Sequence, residues 1–210
     1  MSEILSVVIP CRTTDQPQET MESLFAQTYK HLEVIVVVDA DGRGQSWARN
    51  RGLEMARRRL VLFSDYDCRW DPYAVEWLYD ALRGARSARN TWDEYQVGYA
   101  YGGYHQVQRG VVALTFGLEA WDWLRLVRSN YISTMSLVDA DLLAKYGCLS
   151  FDERLRRLED WDLWLRCGQS GISGVGVGKV LFTTDVKPGV SYGGMSHEEA
   201  ERQVRGYRDL

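Results

Sequence analysis

Residues 60–68 read Leu60-Val61-Leu62-Phe63-Ser64-Asp65-Tyr66-Asp67-Cys68, an apolar run ending in two carboxylates one residue apart. Four consecutive apolar residues fit a strand covered on both faces, the pattern of a parallel sheet. The two acids at its end have two readings. Aspartate favours turns, because its side chain hydrogen-bonds nearby backbone. A pair of carboxylates also offers hard oxygen ligands to a divalent cation, which removes the repulsion between them. A D-x-D triplet alone does not separate these readings.

Two runs of the same kind lie upstream, from Ile4 to Ile9 and from Val34 to Val38, with helix-like segments at 19–29 and 45–58 between the three. Strands recurring every ~30 residues with helices between them are βαβ units, whose crossovers are right-handed and whose sheet is parallel. Downstream, the sequence predicts a helix over 72–83, then a hairpin or edge strands over 97–114, then a strand over 130–138. A short helix capped by Asp139 and ending at Gly147 follows, then a helix from Asp160 to Gly168 and a strand over 175–182. The tail, 187–210, is polar and glycine-containing with an amphipathic end. No repeat, low-complexity linker or boundary divides the chain. The expectation is one α/β domain with a Rossmann-like, mainly parallel sheet, helices on both faces and a small antiparallel extension.

Composition narrows the function classes. The 210 residues carry 25 basic and 29 acidic side chains, a net charge of −4, so no overall basic field invites nucleic acid. No stretch approaches the roughly 18 apolar residues of a membrane span. Met1-Ser2-Glu3 leads directly into an apolar run without a basic leader. Cys11, Cys68, Cys148 and Cys167 form no CxxC pair and read as free thiols. A cytoplasmic location is expected.

In an open parallel sheet, ligands bind beyond the carboxyl ends of the strands. Three such ends carry Pro10-Cys11-Arg12, Asp39-Ala40-Asp41 and Asp65-Tyr66-Asp67, so polar groups converge on one edge. Familiar phosphate motifs fail here. Gly174-Val-Gly-Val-Gly178-Lys179 has Ser173 at the first glycine position and Val180 at the hydroxyl position of a Walker loop, and the first β–α connection holds no glycine. The three histidines lack metalloprotease spacing. A second acidic stretch, Glu159-Asp160-Trp161-Asp162-Leu163-Trp164-Leu165-Arg166, puts both tryptophans and Leu165 on one helical face. Glu159 and Asp160 fall in the first turn, where the dipole favours anions. They read as an ordinary helix start, or as a carboxylate tuned by an apolar wall for general-base work.

Together these segments resemble the inverting glycosyltransferases of family 2, which have the GT-A fold. The resemblance is carried, in order, by SVVIPCR (Ser6 to Arg12), EVIVVVDADG (Glu33 to Gly42), ARNRGLEMARRRLVLFSDYD (Ala48 to Asp67) and FDERLRRLEDWDLWLR (Phe151 to Arg166). It implies that Pro10 and Arg12 border the nucleotide and that Asp39 binds its base, a role Asp41 can share. Arg49 or Arg51 would lie near the base or diphosphate. Asp65 would touch ribose and metal, with Tyr66 beside it in the donor site, and Asp67 would ligate Mn²⁺ or Mg²⁺. Asp160 would take the proton from the acceptor hydroxyl, with Glu159 as the alternative base. His197 would complete the metal shell or lie exposed in the tail.

The resemblance further implies a nucleotide-sugar-binding half at 1–105, an acceptor and catalytic half at 106–186, and a tail or lid at 187–210. The donor is expected to be a UDP- or GDP-sugar, and the acceptor a hydroxyl of a glycan, protein or small molecule. Residues 92–104, rich in Trp, Tyr and Gly, are expected to line part of the sugar or acceptor pocket. Two alternatives stand beside this reading. A sugar-nucleotide pyrophosphorylase would want a glycine-rich, basic loop in place of Cys11-Arg12-Thr13-Thr14-Asp15. A silent nucleotide-sugar-binding module would not need both acidic segments.

Overall fold

Residues 3–88, 95–186 and 196–208 are described by the computed structural model. In chain order they form strand β1 (Leu5–Arg12), helix α1 (Gln18–Phe25), β2 (Leu32–Asp39), α2 (Gln45–Met55), β3 (Leu60–Phe63), β4 (Cys68–Trp70) and α3 (Ala74–Ser87). There follow β5 (Gln96–Gln108), β6 (Val111–Phe116), α4 (Trp123–Arg128), β7 (Leu137–Asp139), α5 (Ala140–Lys145), α6 (Glu159–Gln169), β8 (Ile172–Asp185) and α7 (His197–Arg208).

The three apolar runs near the N-terminus become strands with β1 in the middle, parallel to β2 on one side and β3 on the other. The full sheet runs β2-β1-β3-β7-β5-β8-β4, with β6 added to β5. β5 and β8 form a second long parallel ladder, while β7, β4 and β6 run antiparallel to their partners. Alternation along the strands sends side chains to two cores. Leu5, Val7, Ile9 and Leu62 pack with Leu24, Val75, Leu78 and Leu82 of α1 and α3. Val8, Val61 and Phe63 point to the other face, against Trp161, Trp164 and Leu165 of α6. The α/β expectation is met, with helices on both faces of the sheet.

Three departures have local causes. The strand expected over 130–138 shrinks to Leu137–Asp139. Upstream of it, side chains take backbone partners that a ladder would need: Asn130 Oδ1 accepts from the Ile132 N–H, Ser133 Oγ from the Met135 N–H, and the Ser136 hydroxyl donates to the Ser133 carbonyl. Helix α4 was unforeseen; Asp122 caps it by accepting from the Arg125 N–H at 3.0 Å. The hairpin forms where expected, but β5 lies inside the sheet between β7 and β8, not at its edge.

Helix α2 reaches β1 through Gly52, where an added Cβ would sit 2.2 Å from Val8 Cγ1. Val8 is fully buried and β-branched, so it has little freedom to move away. Alanine would gain helix propensity of up to ~1 kcal/mol. Overpacking is the larger effect, about 1–3 kcal/mol. Gly52→Ala is therefore expected to lower the unfolding free energy by about 1–2 kcal/mol in a denaturant titration, where propensity alone predicts a gain.

Candidate active site

The carboxyl ends of β1, β2 and β3 bring Arg12, Asp39 and Asp65 to one edge of the sheet, with Arg12 in direct register with Asp39. The charge there is concentrated. The buried Cys11 thiol is pushed up to about 11, first by burial and then by the nearby carboxylates of Asp15, Asp65 and Asp67.

Arg49 of α2 links this edge to α6. Its side chain is only 2% exposed, yet it donates from Nη1 to Glu159 Oε1 at 2.7 Å and from Nη2 to Asp65 Oδ1 at 2.9 Å. Gln45 Oε1 accepts from Nη2 at 3.1 Å, and the guanidinium lies 5.4 Å from the Phe151 ring centre. Burial opposes the charged form of Arg49, but Asp65 and Glu159 outweigh it, and the pKa is raised. The first acid of D-x-D and the first acid of E-D therefore share one cation across 94 residues of chain.

Asp160 lies beside Glu159 at the start of α6. Burial, reinforced by the Glu159 charge, lifts its pKa to about 6, against hydrogen bonds from the Trp161 N–H and from Asn130. Burial also raises the Asp65 pKa, against the pull of Arg49. Asp39 goes the other way. Burial pushes it up, but the backbone N–H groups of Gly44, Arg43 and Gly42 prevail and hold it low. Its two oxygens accept from Arg43 and Gly44 at 2.9 and 2.7 Å, closing a turn in which Gly42 and Gly44 have positive φ. Asp41, in the same turn, is exposed and lies 3.9 Å from the Arg43 guanidinium.

The other expected residues divide. Pro10 is buried within β1. Arg12 is exposed, bonds the Tyr66 hydroxyl at 3.3 Å and pairs with Asp15, a carboxylate the sequence reading passed over. Its signal was its place three residues beyond Arg12, in the first β–α loop. Arg51 instead pairs with Glu54 on the exposed face of α2. The Asp67 carbonyl accepts from the Thr184 hydroxyl of β8. His197 opens α7, more than half exposed, with Nε2 3.5 Å from Glu201 Oε1. Of the expected aromatic pocket, residues 92–94 lie outside the described residues, while Tyr99 and Tyr101 are fully buried in the core.

Among the described residues, no three His, Cys, Asp or Glu side chains form a group able to hold a metal ion. One or two carboxylates completed by substrate phosphates are the usual way a protein holds Mg²⁺. Asp65, with Oδ1 committed to Arg49, and Asp67 fit that donor set.

Helix α6 is anchored from behind. Leu158 precedes it with a left-handed backbone (φ 58°), an unusual state for a branched residue. The Trp161 indole donates to the Leu126 carbonyl at 2.7 Å and the Trp164 indole to the Ile132 carbonyl at 3.1 Å. Asp162, fully buried, accepts from Arg166 of α6 at 2.9 Å and from Arg208 of α7. The sequence places the two tryptophans on one helical face, but nothing in it marks Asp162 as a charge anchor.

The sequence matches the family described as Glycosyl transferase family 2 over residues 40–147, a span that includes D-x-D and ends before E-D. No curated protein matches the chain. Among solved structures, S. aureus TarS 1–349 in complex with UDP-GlcNAc superposes with a TM-score of 0.68 at 19% identity, covering 98% of this chain and 65% of that one. The same protein in complex with UDP gives 0.64 at 18%, over 88% of this chain and 61% of that one. The mannosyltransferase PcManGT from Pyrobaculum calidifontis, in complex with GDP-Man and Mn²⁺, gives 0.54 at 17%, over 91% and 59%. The chain thus spans about three fifths of the length of these structures, and at such identities the likeness is one of fold.

Removing one partner of a buried charge cluster leaves the rest uncompensated. Asp162→Ala is expected to destabilise the protein by about 3 kcal/mol, since Arg166 and Arg208 retain some solvent. Arg208→Ala, which leaves the Arg166 bond, should cause a smaller loss in the same denaturant titration.

Proposed function

The chain belongs to glycosyl transferase family 2, and on that premise we propose that it transfers a sugar from a UDP- or GDP-sugar to a hydroxyl acceptor, with inversion. The observation that carries this reading is the Arg49 bridge, because it brings the E-D pair to the D-x-D edge. The donors in the neighbours' complexes, UDP-GlcNAc and GDP-Man, belong to the same chemical class.

In this reading Asp160 accepts the proton of the acceptor hydroxyl as the glycosidic bond breaks. A carboxylate with a pKa of about 6 is still ionised at neutral pH, yet is a stronger base than an ordinary aspartate. Arg12, Tyr66 and Pro10 border the nucleotide, and Asp39 with Asp41 faces its base. Arg49 acts by position, holding Asp65 and Glu159 in place, and Arg51 is left at the surface. A bound Mn²⁺ or Mg²⁺ would be held by Asp65 and Asp67 and would neutralise charge on the departing diphosphate. We keep His197 outside that pair, in its contact with Glu201. Residues 1–105 serve the donor and 106–186 the acceptor and the base. The acceptor is a glycan, a protein or a small molecule. No described helix is long and apolar enough to cross a membrane, and the four free, buried cysteines fit a cytoplasmic setting.

The test is a panel of UDP- and GDP-sugars, with Mn²⁺ or Mg²⁺, assayed for release of nucleoside diphosphate and for transfer. The parent should turn over, and kcat/KM should fall as pH drops through about 6, where Asp160 takes up a proton. Asp160→Asn should lose on the order of 10²–10⁴-fold in turnover. The folded pKa of Asp160 lies above its unfolded value, so its ionisation erodes stability as pH rises through about 6. Asp160→Asn should therefore melt no lower than the parent at pH 7. Parental turnover in that variant would pass the base role to Glu159, and binding without turnover in the parent would favour a silent module.

A further inference from the structure

We propose that Asn130 is the positioning residue for the base: it fixes the Asp160 carboxylate and leaves Oδ2 as the oxygen that receives the acceptor's proton. The inference rests on the assignment of Asp160 above and goes beyond it. Asn130 Nδ2 donates to Asp160 Oδ1 at 3.0 Å, and the Trp161 N–H donates to the same oxygen at 2.8 Å. Among the described residues no donor reaches Oδ2. One oxygen is thus saturated and the other keeps its lone pairs for substrate.

The orientation of the Asn130 amide is itself determined. Its Oδ1 accepts from the Ile132 N–H at 3.3 Å, which turns the NH₂ group toward Asp160. The backbone around it is fixed from both sides by the helix it serves. Trp161 binds the Leu126 carbonyl and Trp164 the Ile132 carbonyl, so Asn130 lies between two attachments to α6. A donor held this way needs no reorganisation when charge changes on its partner.

The charged surroundings show why a neutral donor is useful here. Glu159, on the same helix, works against ionisation of Asp160, and Arg49 of α2 works for it. From α7, Arg205 lies over the Trp161 ring, 5.1 Å from its centre. The loop after α4 contributes the uncharged Asn130. A hydrogen bond to the ionised form favours it, so Asn130 offsets part of the effect of burial and keeps the base available at neutral pH.

The pH profile of kcat/KM, measured with whichever UDP- or GDP-sugar the parent turns over, separates this role from a merely structural one. Asn130→Ala should move the acid limb up by about one pH unit and leave the donor KM unchanged. Asn130→Asp, which places a second carboxylate against Asp160, should move it further. A profile that only scales down, with its limb where the parent has it, would overturn the proposal. Should Asn130→Ala melt well below the parent, Asn130→Ser carries the same test with a shorter polar side chain. If Asp160→Asn keeps parental turnover, the base assignment fails and this inference with it. If Asp160→Asn is inactive while the Asn130 variants leave the limb in place, only the role of Asn130 fails.

Discussion

A guanidinium shut away from water must have its charge answered nearby, and Arg49 sets the terms for everything around it. Desolvating such an ion costs several kcal/mol even after relaxation. The structure answers with two carboxylates and an amide oxygen, contributed by the loop after β3, by the start of α6 and by α2 itself. No one of these segments forms a site alone. The bridge obliges the strand edge carrying D-x-D and the helix carrying E-D to meet, and it fixes the distance between them through two short bonds. Among the described residues the Arg49 Nε has no hydrogen-bond partner, so even this cation is not fully satisfied, which makes the two carboxylates harder to dispense with.

The remaining architecture holds α6 in the position the bridge demands. Two fully buried tryptophans fill the space behind it, and their indole N–H groups tie the helix to the segments before β7. Asp162 ties it to α7 through Arg208. The helix begins abruptly at a left-handed Leu158, a conformation that costs of order 1–3 kcal/mol and persists only where surrounding contacts hold it. It also brings Glu159 and Asp160 to the first turn together. One carboxylate is then committed to Arg49, and the other, among the described residues, has no cation in direct contact, its pKa lifted. Adjacent acids thus acquire different chemistry from their partners.

Much of this was legible in the sequence, for reasons that differ by residue. The strands at 4–9, 34–38 and 60–63 declared themselves because burial on both faces demands unbroken apolar runs, and their ends marked the polar edge. The split between Arg49 and Arg51 was less visible. A sequence shows that an arginine is present but not that it is buried, so Arg49 and the exposed Arg51 looked equivalent two positions apart. The strand expected at 130–138 failed because Asn130, Ser133 and Ser136 bind local backbone, and no apolar pattern records that competition. Asp162 was hidden for a related reason, since its partner Arg208 lies 46 residues away in the final helix.

The central claim is that the two acidic segments are one electrostatic unit joined by Arg49. A double-mutant cycle on Arg49→Met and Glu159→Gln, read as unfolding free energy in denaturant, tests it most directly. The account predicts that Arg49→Met alone costs about 3–5 kcal/mol by leaving buried carboxylates unpaired. It predicts that Glu159→Gln is much milder in that background, with a coupling of about 1–3 kcal/mol. Losses that add to within about 0.5 kcal/mol would mean the two side chains act independently, and would contradict the account.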